Sequence, residues 1–394
     1  MNIVSVSWSD HLVFGAGDGR LDPPAKLARR MAAWREELGA GALHWRVLRT
    51  RMAGRFHAAR GYRHPSLTAS RSITWDDFAQ VPALAREAGL EAWLYVSLFD
   101  EGWPLAPARE RARSHHNAMH GQHVAWQSEL ARTHPDWLAG DRAGRRQHGV
   151  VSLAYPEARR AFVERWSRLI APTRFDGLFV CFRSQSRPAD HADQFGFNEP
   201  VRADFRSRYG ADILHDDFDR QAWRDLLGEY ITALLVELRE SLTRLGLADR
   251  RIGVGVARGD VLGPPLGNTT LHWRDWVRQG LIDHLVVDQH SSQCPSMWHQ
   301  LWPMHRGTGY AQNYLDGHGL PALADHLRTT YVPAIRGSAA RLFVARQWSS
   351  RCGEVEADLR DIPGVAGLVF SSFRHDNPAA IAREDWRAGA LELR

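Results

Sequence analysis

Lysine, cysteine and long apolar runs are all scarce in this 394-residue chain. Lys26 is the only lysine, and it lies in the first predicted helix. Schiff-base aldolases, pyridoxal-phosphate enzymes and Walker-type NTPases all need a lysine at their site, so these classes are excluded. The three cysteines, Cys181, Cys294 and Cys352, are far apart and form neither a zinc spacing nor a disulfide framework. We expect a reducing, cytoplasmic environment.

Membrane and nucleic-acid partners are not expected either. No apolar run approaches the ~20 residues of a membrane span, and residues 2–6 resemble a strand rather than a signal peptide. The net charge of +5 comes from basic residues that are interleaved with acids along helix-like stretches, which is typical of solvated helix faces.

Short apolar runs, each followed by a helix-like stretch, dominate what is present. They are too short for helices and mostly lack alternation, as expected of parallel strands buried on both faces. Eight such units in one chain favour a single (β/α)8 TIM barrel over residues 1–394, with long loops after strands 3, 4 and 6. The predicted strands are 3–7, 43–48, 92–98, 177–182, 252–256, 284–287, 342–345 and 367–370. The predicted helices are 24–38, 77–89, 156–170, 220–245, 269–280, 321–335, 354–361 and 378–390.

Barrels of this kind do their chemistry at the C-terminal ends of the strands. Aromatic, acidic and amide residues follow the predicted strand ends here, and sixteen tryptophans are well above ordinary usage. An indole ring offers an apolar face to a sugar ring and an N–H to a hydroxyl. The pattern predicts a carbohydrate site. The expected platforms and hydroxyl-binding residues are Trp8, Asp10, His11, Asp100, Trp103, Arg183, Gln289, His290, Gln347 and Trp348.

Two carboxylates are the candidates for catalysis, because glycosidic cleavage generally uses an acid and a second carboxylate. Glu199 lies in a Gly-Phe-Asn-Glu-Pro turn after strand 4, and it is equally well interpreted as the start of a helix. Asp288 directly follows the apolar run that ends at Val287. Arg183 would suit an acidic sugar or would orient one of these acids.

A metal site is the weaker interpretation of the histidines. His116 and His120 have the i, i+4 spacing of a shared ligand pair, but no glutamate follows the first of them. We therefore predict neither a metal nor a cofactor. Cys181 is expected to be a small buried residue.

Short motifs follow one another in order through the middle of the chain: His134–Trp137, Asp141–Gly144, Leu153–Arg159, Phe175–Gly177, Arg183, Gly196–Pro200, Arg208–Ile213, Trp273, Trp276 and Gly280–Asp283. This set of motifs resembles the family-10-like glycosyl hydrolases, a group of (β/α)8 sugar-cleaving proteins. The resemblance covers roughly residues 115–290 and implies a glycosidase-like protein. We expect carbohydrate as the partner and leave homo-oligomerisation open. Many relatives have an acid near the end of strand 4, where this chain has Val180-Cys181-Phe182, which favours Glu199 and Asp288. The alternatives are a metal-assisted sugar isomerase or lyase and a catalytically silent carbohydrate-binding barrel.

Overall fold

The computed structural model of the protein describes residues 1–6, 24–47, 55–58, 75–102, 124–182, 193–263, 267–287, 321–345 and 359–371. Eight parallel strands from these ranges close into a barrel. The predicted (β/α)8 fold is therefore confirmed; the assignment of residues 1–394 to one domain stays a prediction. The barrel strands, in their order around the barrel, are β1 (Asn2–Val6), β2 (Ala40–Arg46), β4 (Glu91–Ser97), β8 (Gly177–Cys181), β9 (Arg251–Gly255), β12 (His284–Val287), β13 (Arg341–Ala345) and β14 (Val365–Ser371).

Helices cover the outside of the barrel. Several begin and end where the sequence signals place them: Asp76 and Asp219 each accept hydrogen bonds from two backbone N–H groups of the following turn, and Gly246, with φ +73°, follows the longest helix. No helix in the described part of the chain is both long and apolar enough to cross a membrane. The helices that cover the barrel are α1 (Pro24–Leu38), α2 (Asp77–Glu87), α4 (Pro156–Ile170), α6 (Arg220–Arg244), α7 (Trp273–Arg278), and α8 (Leu323–His326) and α9 (Val332–Ile335), which are joined by a π-helical turn (Leu327–Tyr331).

The connections after the third and fourth barrel strands contain structure of their own. Residues that follow β4 form the short helix α3 (Glu129–Thr133) and the antiparallel hairpin of β6 (Leu138–Gly140) and β7 (Arg146–Val151). Helix α5 (Glu199–Tyr209) lies in the connection after β8. Two further antiparallel pairs complete the structure: β3 (Arg55–Ala58) with β5 (Val124–Gln127), and β10 (Val261–Gly263) with β11 (Gly267–Thr270).

Two hydrophobic clusters form the core. The larger one lies between the strands and the outer helices and includes Trp34, Trp166, Trp223 and Trp276, as expected of tryptophans in helical patterns. Trp45, near the end of β2, is also a packing residue: its ring is fully buried in the same cluster, and its Nε1 donates to Asp77 at the start of α2, 2.9 Å away.

The smaller cluster consists of alternate residues of the barrel strands and therefore fills the barrel interior. Trp93, Tyr95 and Phe179 are its largest members from neighbouring strands, and the Tyr95 and Phe179 rings meet edge to face, 5.1 Å apart. Gly177 and Gly253 leave room for these rings, since a Cβ at Gly177 would lie 2.7 Å from the Trp93 ring. Packed side chains thus close the interior below the C-terminal mouth.

Candidate active site

A buried ion pair lies at the C-terminal ends of the second and third barrel strands. Arg46, the last residue of β2, donates from Nη2 to Oδ2 of Asp100 at 2.9 Å, and both side chains are only 4% exposed. The Arg46 guanidinium also lies over the Tyr95 ring, with Cζ 4.6 Å from its centroid. Tyr95 belongs to the barrel interior, so the pair sits at the floor of the mouth.

This arrangement explains how the Asp100 carboxylate can be buried. A buried carboxylate is costly unless it is paired and hydrogen-bonded, and Arg46 supplies both the charge and the hydrogen bond. The location fits the predicted role of Asp100 in binding substrate hydroxyls, because a charged acceptor forms the stronger hydrogen bonds. Sequence reasoning missed Arg46. The available signal was a charged residue at the strand position that alternates with Ala42 and His44.

The neighbouring carboxylate, Glu101, has a structural role. Its fully buried side chain accepts two hydrogen bonds from Arg165 of α4, at 3.0 and 2.5 Å. Its backbone N–H donates to Gly149 of β7, and its carbonyl accepts from the N–H of Ser128, which caps α3. Glu101 therefore fixes the strand end that presents Asp100 to a hairpin strand and to two helices.

Glu199 is the first residue of α5, so the helix-start interpretation of its motif is confirmed. Its side chain is 73% exposed, and Oε2 lies 3.5 Å from Nη1 of Arg202. Arg202 in turn donates to both carboxylate oxygens of Asp212, at 2.7 and 2.5 Å. Hydrogen bonds from Arg202, from the Leu214 N–H and from a second arginine hold the pKa of Asp212 well below its usual range. Arg202 is thus committed mainly to Asp212, and Glu199 is only loosely held.

The rest of the Gly-Phe-Asn-Glu-Pro motif joins the two long connections that follow the third and fourth barrel strands. The Asn198 side chain does not cap α5; it accepts from the Gly140 N–H and donates to the Leu138 carbonyl of β6, each at 2.9 Å. Phe197 stacks on Trp223 with ring centroids 5.0 Å apart. The motif therefore fixes the connection after β8 to the hairpin that follows β4.

The fourth barrel strand supplies no acid at its end. Cys181, its last residue, is fully buried in the barrel interior, as expected of a small core residue. After the fifth barrel strand, Asp260 accepts from Nε1 of Trp273 at 2.8 Å and from Arg274 at 2.7 Å. These contacts hold Asp260 against the start of α7.

The second proposed catalytic carboxylate, Asp288, lies outside the described residues. The same holds for His116 and His120, and within the described ranges no group of three or more His, Cys, Asp or Glu side chains is placed to bind a metal. These assignments stay predictions. The other proposed site residues that lie outside the described ranges are Trp8, Asp10, His11, Trp103, Arg183, Gln289, His290, Gln347 and Trp348.

Solved structures similar to this chain are glycosidases with (β/α)8 barrels. Alpha-L-fucosidase isoenzyme 2 from Paenibacillus thiaminolyticus is 12% identical with a TM-score of 0.50, and the match covers 100% of this chain and 49% of the fucosidase. A maltogenic alpha-amylase, AmyB from Thermotoga neapolitana, is 10% identical with a TM-score of 0.44, over 94% of this chain and 67% of the amylase. The GH36 alpha-galactosidase AgaB from Geobacillus stearothermophilus is 11% identical with a TM-score of 0.40, over 99% and 41%.

The likeness to the fucosidase supports the fold. The chain spans about half the length of the fucosidase that it matches. No protein-family model matches the sequence, and no curated protein does. The assignment to the family-10-like group therefore stays a prediction.

Proposed function

We propose that the protein is a glycoside hydrolase whose site lies at the C-terminal mouth of the barrel. The observation that carries the proposal is the buried Arg46–Asp100 pair at the strand ends. Catalytic and binding residues of such barrels lie at this end, and a buried carboxylate there that is paired with an arginine is a hydrogen-bond acceptor of the kind that sugar hydroxyls require. The barrel likeness to a fucosidase is consistent with this chemistry.

The catalytic pair that we propose is Glu199 as general acid and base and Asp288 as the second carboxylate. Glu199 is exposed, and its one ionic partner among the described residues, Arg202, is bound mainly to Asp212, which leaves the Glu199 carboxylate available to a substrate. In the sequence, Asp288 directly follows Val287, the last residue of β12, which is the sixth barrel strand, and such barrels hold their catalytic residues after the C-terminal ends of their strands. The substrate is an oligosaccharide or glycoside, bound by Asp100 and by the aromatic residues that follow the other strands.

A catalytically silent carbohydrate-binding barrel is the second candidate. It is favoured by Cys181, which occupies the end of the fourth barrel strand where a catalytic acid would suit the fold. Such a protein would bind sugar at the same mouth and leave it unchanged.

The test is a hydrolysis screen of oligosaccharides and aryl glycosides, neutral and uronic, with and without chelator. Glu199→Gln and Asp288→Asn are compared with Glu164→Gln, a control carboxylate on the outer face of α4. The proposal predicts cleavage that survives chelator, collapses in both site variants by the 10²–10⁴-fold typical of general acid–base catalysis, and persists in the control. Binding without cleavage across the panel would favour the silent barrel. Loss in chelator would favour a metal-assisted isomerase or lyase.

A further inference from the structure

Two histidines are enclosed in the barrel interior and have no hydrogen-bond partner among the described residues. His44 on β2 is 0% exposed and His284 on β12 is 1% exposed. His44 stacks on Phe179 with ring centroids 4.0 Å apart, and His284 stacks on Trp93 at 4.1 Å. None of the four ring nitrogens has a partner among the described residues. Buried polar groups are normally paired, so two such imidazoles in one core are unusual.

The charged groups around this pair disfavour a further positive charge. Arg251 of β9 lies over the Trp93 ring, with Cζ 4.9 Å from its centroid, and Arg341 of β13 lies over Phe343 at 5.3 Å. From β2, Arg46 is paired with Asp100, and the Met1 amino group is close enough to Arg341 to feel its charge. The acid that faces the two histidines from β4 is Glu91. Its Oε2 forms an ion pair with Arg251 at 2.8 Å and accepts a hydrogen bond from the indole N–H of Trp93 at 3.1 Å.

We infer that His44 and His284 form a proton-sensitive lock. The folded barrel encloses both imidazoles in their neutral form, and the fold loses stability in acid because the imidazoles of the unfolded chain bind protons. Neutral rings stack on Phe179 and Trp93 and fill the interior as apolar groups do. Protonated rings would place two like charges in a buried core beside Arg251 and Arg341. The two imidazoles therefore bind these protons only when the barrel unfolds.

The direction of the pH effect follows from the two folded-state values. Burial lowers the pKa of His44 from its ordinary value to about 3. Burial, and then the charges of His44, Arg341 and Arg251, lower the pKa of His284 to about 2. An unfolded histidine titrates at about 6.5. The two histidines therefore leave the free energy of unfolding undiminished above about pH 6.5. This free energy falls as the pH falls from there towards about 3.

The experiment is urea unfolding of the full chain at a series of pH values between about 7.5 and about 4.5. Two excluded protons predict that the unfolding constant of the wild type rises by up to about 100-fold per pH unit below 6.5, relative to the double variant His44→Phe/His284→Phe. Each single variant retains one such proton and differs from the double variant by up to about tenfold per unit. Phenylalanine keeps the ring stacking while it removes the titration.

Variant His215→Gln is the matched control, because His215 is an exposed histidine in the turn before α6; it should follow the wild-type pH dependence. Equal pH dependence of wild type and double variant would overturn the inference. Should the double variant fail to fold, histidine ¹⁵N NMR of the folded wild type decides: both interior rings neutral at about pH 5 support the lock, and either ring titrating near 6.5 refutes it. The outcome is independent of whether the protein cleaves glycosides.

Discussion

Removing either partner of the Glu101–Arg165 pair should destabilise the protein far more than removing a surface ion pair. Glu101 is completely buried, Arg165 is 16% exposed, and two hydrogen bonds join them. Loss of one partner from such a pair costs about 3–5 kcal/mol, because the other charge is left buried and unpaired. We expect about 3 kcal/mol for Glu101→Met, since the Arg165 guanidinium keeps some contact with water and with the Phe162 ring. Arg165→Met should cost about 5 kcal/mol of unfolding free energy, because the fully buried Glu101 carboxylate has no such contact with water.

Urea denaturation of both single variants and of the double variant measures these costs as a double-mutant cycle. The two methionines should pack against each other, so the double variant should cost less than the sum of the single variants by about 3 kcal/mol or more. Glu157→Met on the same helix is the control, since Glu157 forms an exposed pair with Arg160 at 2.9 Å and should have little effect. Additive single costs, or a loss below about 1 kcal/mol for Arg165→Met, would refute the structural role of this pair.

Three further predictions concern the catalytic face. Asn198→Ala should leave the buried Gly140 N–H unpaired, so it should cost about 1–3 kcal/mol of unfolding free energy and speed hydrogen exchange in the hairpin of β6 and β7. Unchanged exchange would contradict the role of Asn198 in holding this hairpin. Gly196→Ala should destabilise by more than about 1 kcal/mol, because φ is +118° and the new Cβ would lie 2.8 Å from Leu227; a neutral result in urea denaturation would refute the strain. Asp100→Asn should raise KM more than it lowers kcat if Asp100 binds substrate hydroxyls, and the opposite split would make it part of the chemistry.

Much of the fold is visible in the sequence because parallel barrel strands are buried on both faces. The run at 284–287 coincides with β12, and the run at 177–182 extends one residue past β8. Asp76 and Asp219 are short polar residues just before helical patterns, and both cap as expected. These signals are local, which is why they are readable without a structure.

Errors occur where distant residues decide the local structure. The helix predicted over 269–280 starts only at Trp273, because Gly267–Thr270 pairs with Val261–Gly263. A π-helical turn lies inside the helix predicted over 321–335, and it contains Tyr331, whose hydroxyl accepts from the Gly259 N–H at 2.8 Å. Neither feature follows from the residues within a single segment.

The site was harder to predict than the fold for the same reason. Arg46 lies 54 positions from Asp100 in the sequence, and the ion pair exists only because β2 and β4 are neighbours in the barrel. Asn198 looked like part of a helix start, whereas its side chain clasps residues 58 and 60 positions away. Sequence patterns indicate the segments that contain Arg46 and Asn198, but only the tertiary structure shows which residues these two side chains contact.

The most direct test of the proposed activity is to incubate the protein with the glycoside panel in oxygen-18-labelled water and to measure the masses of the products by mass spectrometry. The glycoside hydrolase proposal predicts new reducing ends that carry one labelled oxygen, because hydrolysis adds water across the glycosidic bond. An unsaturated, unlabelled product would identify a lyase, and a product of unchanged mass would identify an isomerase. Intact substrates across the panel, together with measurable sugar binding, would contradict hydrolysis and leave the barrel mouth as a binding site.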